Sequence, residues 1–340
     1  MTRSAIIHIG AHKTGTSAIQ VALRTRQSEL QKQNWEILLP PTPKGIPANW
    51  NHMFQMVGQN YTIKEQVLSR MVKAIEGSDR NIILSSEELF FLDQGDIEKF
   101  CNIIRPFFSK IALVAYLRRQ DRMMIAHWEQ GAKTEQSANL FLSTDHPFKC
   151  LTPNAYRYLD YADRLSLWKT HLKPSQTVIR NYVLADLHQK DSVSDFLKTT
   201  GLNLSYKRRK KNLNRGLSSE SVRFIYELRR SGYTRKNLNS LLKSKALPSG
   251  TLRASVGRGD VEAFLEKFAE SNRNLAIMAD QPGSLRGGAF IRKLFPLTSP
   301  QNFFRTDDIA SLPNNSEFPE YSIEQKYKAL VEFHAQVKPG

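Results

Sequence analysis

Five residues near the start of the chain have types and spacing that could do chemistry: Lys13, Thr14, Gly15, Thr16 and Ser17. They follow a short apolar run, Ala5 to Ile9, that ends at Gly10, and they precede a helical pattern beginning near Ala18. A strand feeding a small-residue loop at a helix N-terminus turns backbone N–H groups toward one point, and the helix dipole adds partial positive charge there. With a lysine in the loop, such a place suits a phosphate or a sulfate. It is not a Walker A loop, which needs its lysine directly after the second glycine; here Lys13 comes two residues before Gly15. The bland alternative is an ordinary strand-to-helix turn with an exposed lysine.

The run His12-Lys13-Thr14-Gly15-Thr16-Ser17 resembles the loop, H-K-T-G-T-[ST], that holds the 5'-phosphosulfate of 3'-phosphoadenylyl sulfate (PAPS) in sulfotransferases of the bacterial carbohydrate type. The resemblance implies that Lys13 meets the bridging oxygen and the sulfuryl group. It implies that Thr14, Gly15, Thr16 and Ser17 supply N–H and hydroxyl donors to the 5'-phosphate, with His12 adding positive charge or packing. Arg118 follows the continuously apolar run Ile111 to Leu117, and a long cation at such a strand end can grip a phosphate bidentately. The family carries an arginine there for the 3'-phosphate, with a serine eight residues later; here that position is Ala126, next to His127. A Lys/Arg-rich segment followed by Asn and Ser lies near the donor in similar enzymes, which points to Lys211, Asn214 and Ser218.

Sulfuryl transfer also needs a group that accepts the acceptor's proton. His52, on the loop after the second strand, sits where related sulfotransferases carry a histidine or glutamate, and an imidazole suits proton transfer near neutrality. Glu87 in Ser85-Ser86-Glu87 resembles the family's S-S-E signature; the alternative is a helix start with Ser85 and Glu88 at capping-box spacing. The choice between His52 and Glu87 stays open, and His8 and His12 stand too near the anionic donor to be preferred. The resemblance implies direct in-line transfer to a saccharide hydroxyl, on a cell-surface polysaccharide or glycolipid, without a covalent intermediate or a required metal. Trp50, Trp128 and Tyr156 are candidates to line an acceptor site, although aromatic residues at such spacings more often belong to a core.

These residues need a scaffold that brings strand ends together. Apolar runs at Ala5 to Ile9, Trp35 to Leu39, Asn81 to Leu84, Ile111 to Leu117 and Thr177 to Tyr182 alternate with helical patterns. That order implies a doubly wound parallel sheet with ligands at the carboxyl ends of its strands. The expected fold class is α/β, a P-loop-NTPase-like three-layer fold with about five parallel strands and a mostly helical C-terminal part. Residues 1–218 would form the sulfotransferase core and residues 219–340 a helical, loop-rich extension. Helices are expected over Ala18 to Leu30, Lys64 to Glu76, Ile97 to Pro106, from Asp121 to Lys133, over Tyr156 to His171, Ser219 to Arg230 and Val261 to Met278. Thr42 to Gln59 reads as a connection.

Composition bounds the partners. The 340 residues carry 49 Lys+Arg against 32 Asp+Glu, a formal net charge of +17, which favours nucleotide phosphates, acidic glycans, nucleic acid or an anionic surface. Lys207 to Lys211 is a basic run without the aromatic interleaving of single-strand binders, so nucleic acid is not the expected partner. Cys101 and Cys150 allow no disulfide framework and no cysteine-based zinc site. No signal-peptide pattern or membrane-length apolar run is visible, so a cytoplasmic protein is expected. Two rivals remain: a kinase, which would need Mg²⁺ and an acid at a strand end where Asp79 instead precedes its strand, and a non-enzymatic binder of nucleic acid or an anionic surface.

Overall fold

Parallel strands that read as unbroken apolar runs need cover on both faces, and the computed structural model provides it. It describes residues 3–39, 54–57, 60–134, 146–149, 151–207, 217–234, 237–238, 241–242, 256–280, 309–310, 312–314, 322, 325–326 and 328–331. The strands are β1 (Ser4–His8), β2 (Trp35–Ile37), β3 (Phe54–Val57), β4 (Asn60–Ile63), β5 (Asn81–Ser85), β6 (Lys110–Leu117) and β7 (Gln176–Asn181). Five of them form one parallel sheet in the order β2-β5-β1-β6-β7. The chain leaves β1 toward β2 and β5 on one side and leaves β6 toward β7 on the other. The sheet's topological switch point therefore lies between β1 and β6, where open α/β sheets bind ligands at their carboxyl ends.

The helices are α1 (Thr16–Thr25), α2 (Gln27–Lys32), α3 (Glu65–Glu76), α4 (Gln94–Ile104), α5 (Gln120–Lys133), α6 (Pro153–Leu159), α7 (Tyr161–Leu172), α8 (Ser192–Thr200), α9 (Ser219–Arg230), α10 (Arg258–Glu266) and α11 (Ala269–Asp280). On one sheet face Ile6, Ile37, Ile83, Val114, Tyr116 and Val178 pack against Ile19 and Leu23 of α1, Leu30 of α2 and Val193 and Phe196 of α8. Residues of the opposite pleat, Ile7, Leu84, Leu113, Ala115 and Leu117, are buried too. Among the helices, α7 packs against both α4 and α11, with the Phe100 ring edge-on to Trp168 at 5.7 Å. The expected three-layer α/β fold with a five-stranded parallel core is what the chain adopts.

Local chemistry explains where elements divide. Asp160 accepts a hydrogen bond from Asp163 N and so caps a new helix; the single helix expected over Tyr156 to His171 is two. The helix expected over Val261 to Met278 is likewise two, α10 and α11. Residues Phe54–Val57 and Asn60–Ile63, which sequence placed in or beside a connection, pair antiparallel.

The chain gathers into two compact units, each drawn from three stretches: Met1–Arg119, Tyr158–Lys210 and Ala269–Phe304 in the first, and Gln120–Arg157, Lys211–Phe268 and Arg305–Gly340 in the second. The single division expected after residue 218 gives way to interleaving, because α11 packs on α7 of the sheet unit while α9 and α10 pack on α5. In the second unit Tyr226 Oη donates to Trp128 O at 3.2 Å, and Phe148 stacks on Phe264 at 4.3 Å. No helix among the described residues is long and apolar enough to cross a membrane.

Candidate anion site and its carboxyl pair

The loop after β1 continues the sheet before it turns. Ile9 N donates to Val114 O, and Ala11 and Tyr116 exchange bonds across Gly10 (Ala11 N to Tyr116 O and Tyr116 N to Gly10 O, both 2.6 Å). Gly10, Lys13 and Gly15 then take positive φ of 94°, 60° and 84°. For a lysine that conformation costs roughly 1–2 kcal/mol, and such strain persists only where the surroundings impose it. Thr14 Oγ1, fully buried, donates to Ala11 O at 2.6 Å and staples the turn. Its hydroxyl is thus engaged within the loop, as is that of Thr16, which points to the same carbonyl at 3.4 Å.

Gly15 caps α1 in the left-handed conformation, and the first amides with an acceptor inside the helix are those of Ala18 and Ile19, both on Gly15 O. The N–H groups of Thr16 and Ser17 precede that ladder, as first-turn donors do. The first turn of α1 contains no acidic residue of its own. Ser17 is exposed. The backbone thus offers a cradle for an anion, with Lys13 in the turn itself.

Arg118 stands one position beyond β6, on the neighbouring strand. Its carbonyl accepts Tyr161 Oη at 2.8 Å, which ties the strand end to α7. Tyr182, just past β7, connects Arg118 to the loop. Burial raises its phenol most, the nearby Arg118 charge opposes the rise and Asp191 adds to it. The Tyr182 Oη lies 3.5 Å from where a Cβ on Gly15 would be. Lys13 and Arg118 therefore follow the two strands, β1 and β6, that flank the switch point.

Glu87 opens a 3-10 turn (Glu87–Phe91) after β5. Its backbone comes so near the loop that a Cβ on Gly10 would lie 2.9 Å from Glu87 Cα. Only glycine allows that approach, and at Gly10 the positive φ asks for glycine as well. Gln20 Nε2 donates to Glu87 Oε2 at 3.0 Å and to Ser85 O at 3.2 Å. Burial raises the Glu87 carboxyl; its own backbone N–H, the Gln20 amide and the Lys13 charge work in the other direction. Glu88, which sequence offered only as half of a capping box, is buried and accepts from Ser86 Oγ at 2.9 Å. Burial and then the charge of Glu87 push it up to about 8. No capping box forms: Ser86 is the N-cap without a side-chain cap bond, and Ser85 Oγ pairs with His8 Nδ1 at 2.9 Å.

Both histidines of the opening stretch are held neutral. Burial drives His8 to about 3, and burial followed by the Lys13 charge does the same to His12. Of the two roles suggested for His12, packing is the one its contacts show, and burial opposes added charge. Its ring lies 3.1 Å by Nδ1 from Tyr158 Oη and edge-on to Phe91 at 5.5 Å, while its backbone N–H donates to Tyr158 Oη at 2.8 Å. Phe91 stacks on Tyr158 at 4.5 Å and meets Tyr61 of β4 at 5.3 Å, so an aromatic wall stands beside the carboxyl pair.

The loop residues, Arg118 and Glu87 are thus gathered in one unit. His52 and Lys211 lie outside the described residues, as do Asn214 and Trp50. Ser218 caps α9, accepting from Ser221 N at 3.3 Å, and belongs to the other unit. Ala126 and His127 lie on α5, with His127 buried. Trp128 is 1% exposed and belongs to the core of its unit, which removes it from the suggested acceptor-lining residues; Tyr156 is 38% exposed. Sequence reasoning missed Gln20, Glu88, Tyr158 and Tyr182. Glu88 was visible beside Glu87, but Tyr158 reaches His12 from 146 residues away and leaves no local signal.

No protein-family model matches the chain. It is 29% identical over 259 residues to an uncharacterized protein of Archaeoglobus fulgidus, an alignment covering 74% of this chain and 65% of that one, less than two thirds of the relative's length. A solved sulfotransferase from Alicyclobacillus acidocaldarius superposes with a TM-score of 0.43 and 14% identity, covering 86% of this chain and all of that one. At that score and identity the likeness decides nothing about activity.

Proposed function

We propose that the protein is a PAPS-dependent sulfotransferase acting on a saccharide hydroxyl. The observation that carries this reading is the placement of Lys13 and Arg118 at the ends of β1 and β6, the strands on either side of the switch point. A donor with phosphate at both the 5' and the 3' position needs two separate cationic grips, and a kinase that binds a linear triphosphate does not. When bound, the donor supplies an electrophilic sulfuryl group; Lys13 and the N–H groups of Thr16 and Ser17 stabilise the negative charge that spreads over it. Arg118 takes the 3'-phosphate. Glu87, held beside the loop, takes the acceptor proton as the new S–O bond forms and the bond to the phosphate oxygen breaks. The net charge of +17 supports an anionic donor and is compatible with an acidic glycan acceptor.

Calorimetric titration with 3'-phosphoadenosine 5'-phosphate, with ATP as the control, tests the reading. The expected result is binding that is at least about tenfold tighter than for ATP, a difference of about 1.4 kcal/mol. Absent binding, or equal affinity for the two nucleotides, would sink it.

A further inference from the structure

Gln20 is fully buried in α1, the helix that grows out of the anion loop. Its side-chain nitrogen meets two acceptors, the Ser85 carbonyl at 3.2 Å and Glu87 Oε2 at 3.0 Å, while its own Oε1 is buried with no hydrogen-bond partner. A backbone carbonyl cannot donate, so Ser85 fixes which way the amide faces, and the amide then presents only N–H to Glu87. An amide in that orientation favours a Glu87 carboxylate over a protonated Glu87. On the other side of the pair, Glu88 is 6% exposed with Ser86 Oγ at 2.9 Å. Glu88 is buried while Glu87 is half-buried, and the charge of Glu87 raises Glu88, so ionising both is costly.

We infer that Gln20 is a positioning residue that makes Glu87 the charged member of the Glu87–Glu88 pair, leaving the proton on Glu88. The inference rests on the sulfuryl-transfer reading for its purpose: a proton acceptor must enter the reaction deprotonated, beside the loop that holds the donor. The other groups facing the pair agree with this division. Burial raises Glu87, and the Lys13 charge, like the Gln20 amide, works against that rise. Tyr61 and Tyr158 are raised chiefly by burial, so they stay neutral phenols. His12 is neutral as well. Gln20 thus links the loop helix, the end of β5 and the proton acceptor through one amide.

The test is a carbon-13 titration of the full chain with Glu labelled at Cδ, the two signals assigned with Glu87→Gln and Glu88→Gln. In the native chain the lower midpoint should belong to Glu87. In Gln20→Met, similar in size but without donors, the Glu87 midpoint should rise by about one to two pH units, the worth of one hydrogen bond to a charged group. A lower midpoint on Glu88 in the native chain overturns the inference, and so does an unmoved Glu87 in the variant. If Gln20→Met does not fold, the native titration decides alone. The measurement needs neither donor nor acceptor, so failure of 3'-phosphoadenosine 5'-phosphate to bind would remove the sulfuryl-transfer reading and leave the role of Gln20 still decided by the titration.

Discussion

Ser192, the first residue of α8, stands directly against Gly15: a Cβ on Gly15 would lie 2.8 Å from the Ser192 Cβ and closer still to its Oγ. The helix that covers one face of the sheet therefore also backs the anion loop. Gly15 is constrained twice, by that contact and by a φ of 84°. Gly15→Ala is expected to destabilise the chain by about 1–3 kcal/mol and to weaken 3'-phosphoadenosine 5'-phosphate at least about tenfold. Adding Ser192→Gly should restore the part owed to the clash and leave the part owed to the backbone, a non-additivity that a double-mutant cycle by urea denaturation measures.

Lys13 and Arg118 should separate rate from affinity. Lys13→Ala is expected to lower the transfer rate at saturating donor by about two to three orders of magnitude, the scale of removing one charge-stabilising group from a transition state. Arg118→Ala should show the larger loss of nucleotide affinity, about tenfold or more, and a matching fall in turnover at sub-saturating donor. Steady-state kinetics with calorimetry on both variants checks the split. Equal effects on affinity would remove the assignment of separate grips.

Beneath the same sheet face, Arg180 of β7 pairs with Asp195 of α8 through Nε to Oδ2 at 2.9 Å and through a second, Nη2 to Oδ1 contact. Tyr116 Oη, at 2.8 Å, and His188 N, at 2.9 Å, donate to the same carboxylate. Asp195→Asn or Arg180→Met alone strands a buried charge or its partners and should cost about 3–5 kcal/mol. Arg180→Met combined with Asp195→Leu should cost less than the two single changes added together. Denaturant midpoints of the three variants decide it.

Two buried groups should give the stability profile opposite slopes. His8 would titrate near 6.5 in the unfolded chain and titrates at about 3 in the folded one. Between those values the unfolded chain binds more protons. The contribution of His8 is complete above 6.5 and is lost as pH falls, by at most about 1.4 kcal/mol per pH unit. Glu88 runs the other way: from 4.5 unfolded to about 8 folded, its contribution is complete below the lower value and declines as pH rises toward the upper one. Urea denaturation from pH 4 to 8 should therefore lose about half of its histidine-derived acid-side slope in His8→Gln, His12 supplying the rest, and flatten on the alkaline side in Glu88→Gln. Unchanged slopes in either variant would contradict the burial of that group.

The sheet was legible because its strands have no polar face: Ile6, Ile7, Leu113, Val114 and Ala115 are buried on both pleats, and such runs announce themselves without any structure. The loop was legible because its residue types serve backbone geometry, with Gly10 and Gly15 at positive φ. Less could be read where function depends on packing between distant segments. The Phe54–Val57 and Asn60–Ile63 hairpin is too short to show a period, yet it delivers Tyr61 to the wall beside Glu88. Gln20 sits on the buried side of an amphipathic helix, where sequence alone gives an amide no reason to be more than a neutral neighbour of Ile19. Glu88 could be seen next to Glu87, but its change from an expected capping residue to a buried carboxyl depends on Ser86 turning toward it.

The contact between Gly10 and Glu87 bears on how this scaffold can be changed. The anion loop and the segment after β5 lie far apart in sequence but touch backbone to backbone, so neither is a separable module. A loop grafted from another enzyme would carry its own turn path past the Glu87 backbone, and the graft would need the receiving Ser85 to Phe91 segment exchanged with it. The smallest transplantable piece of this site is thus a pair of strand ends.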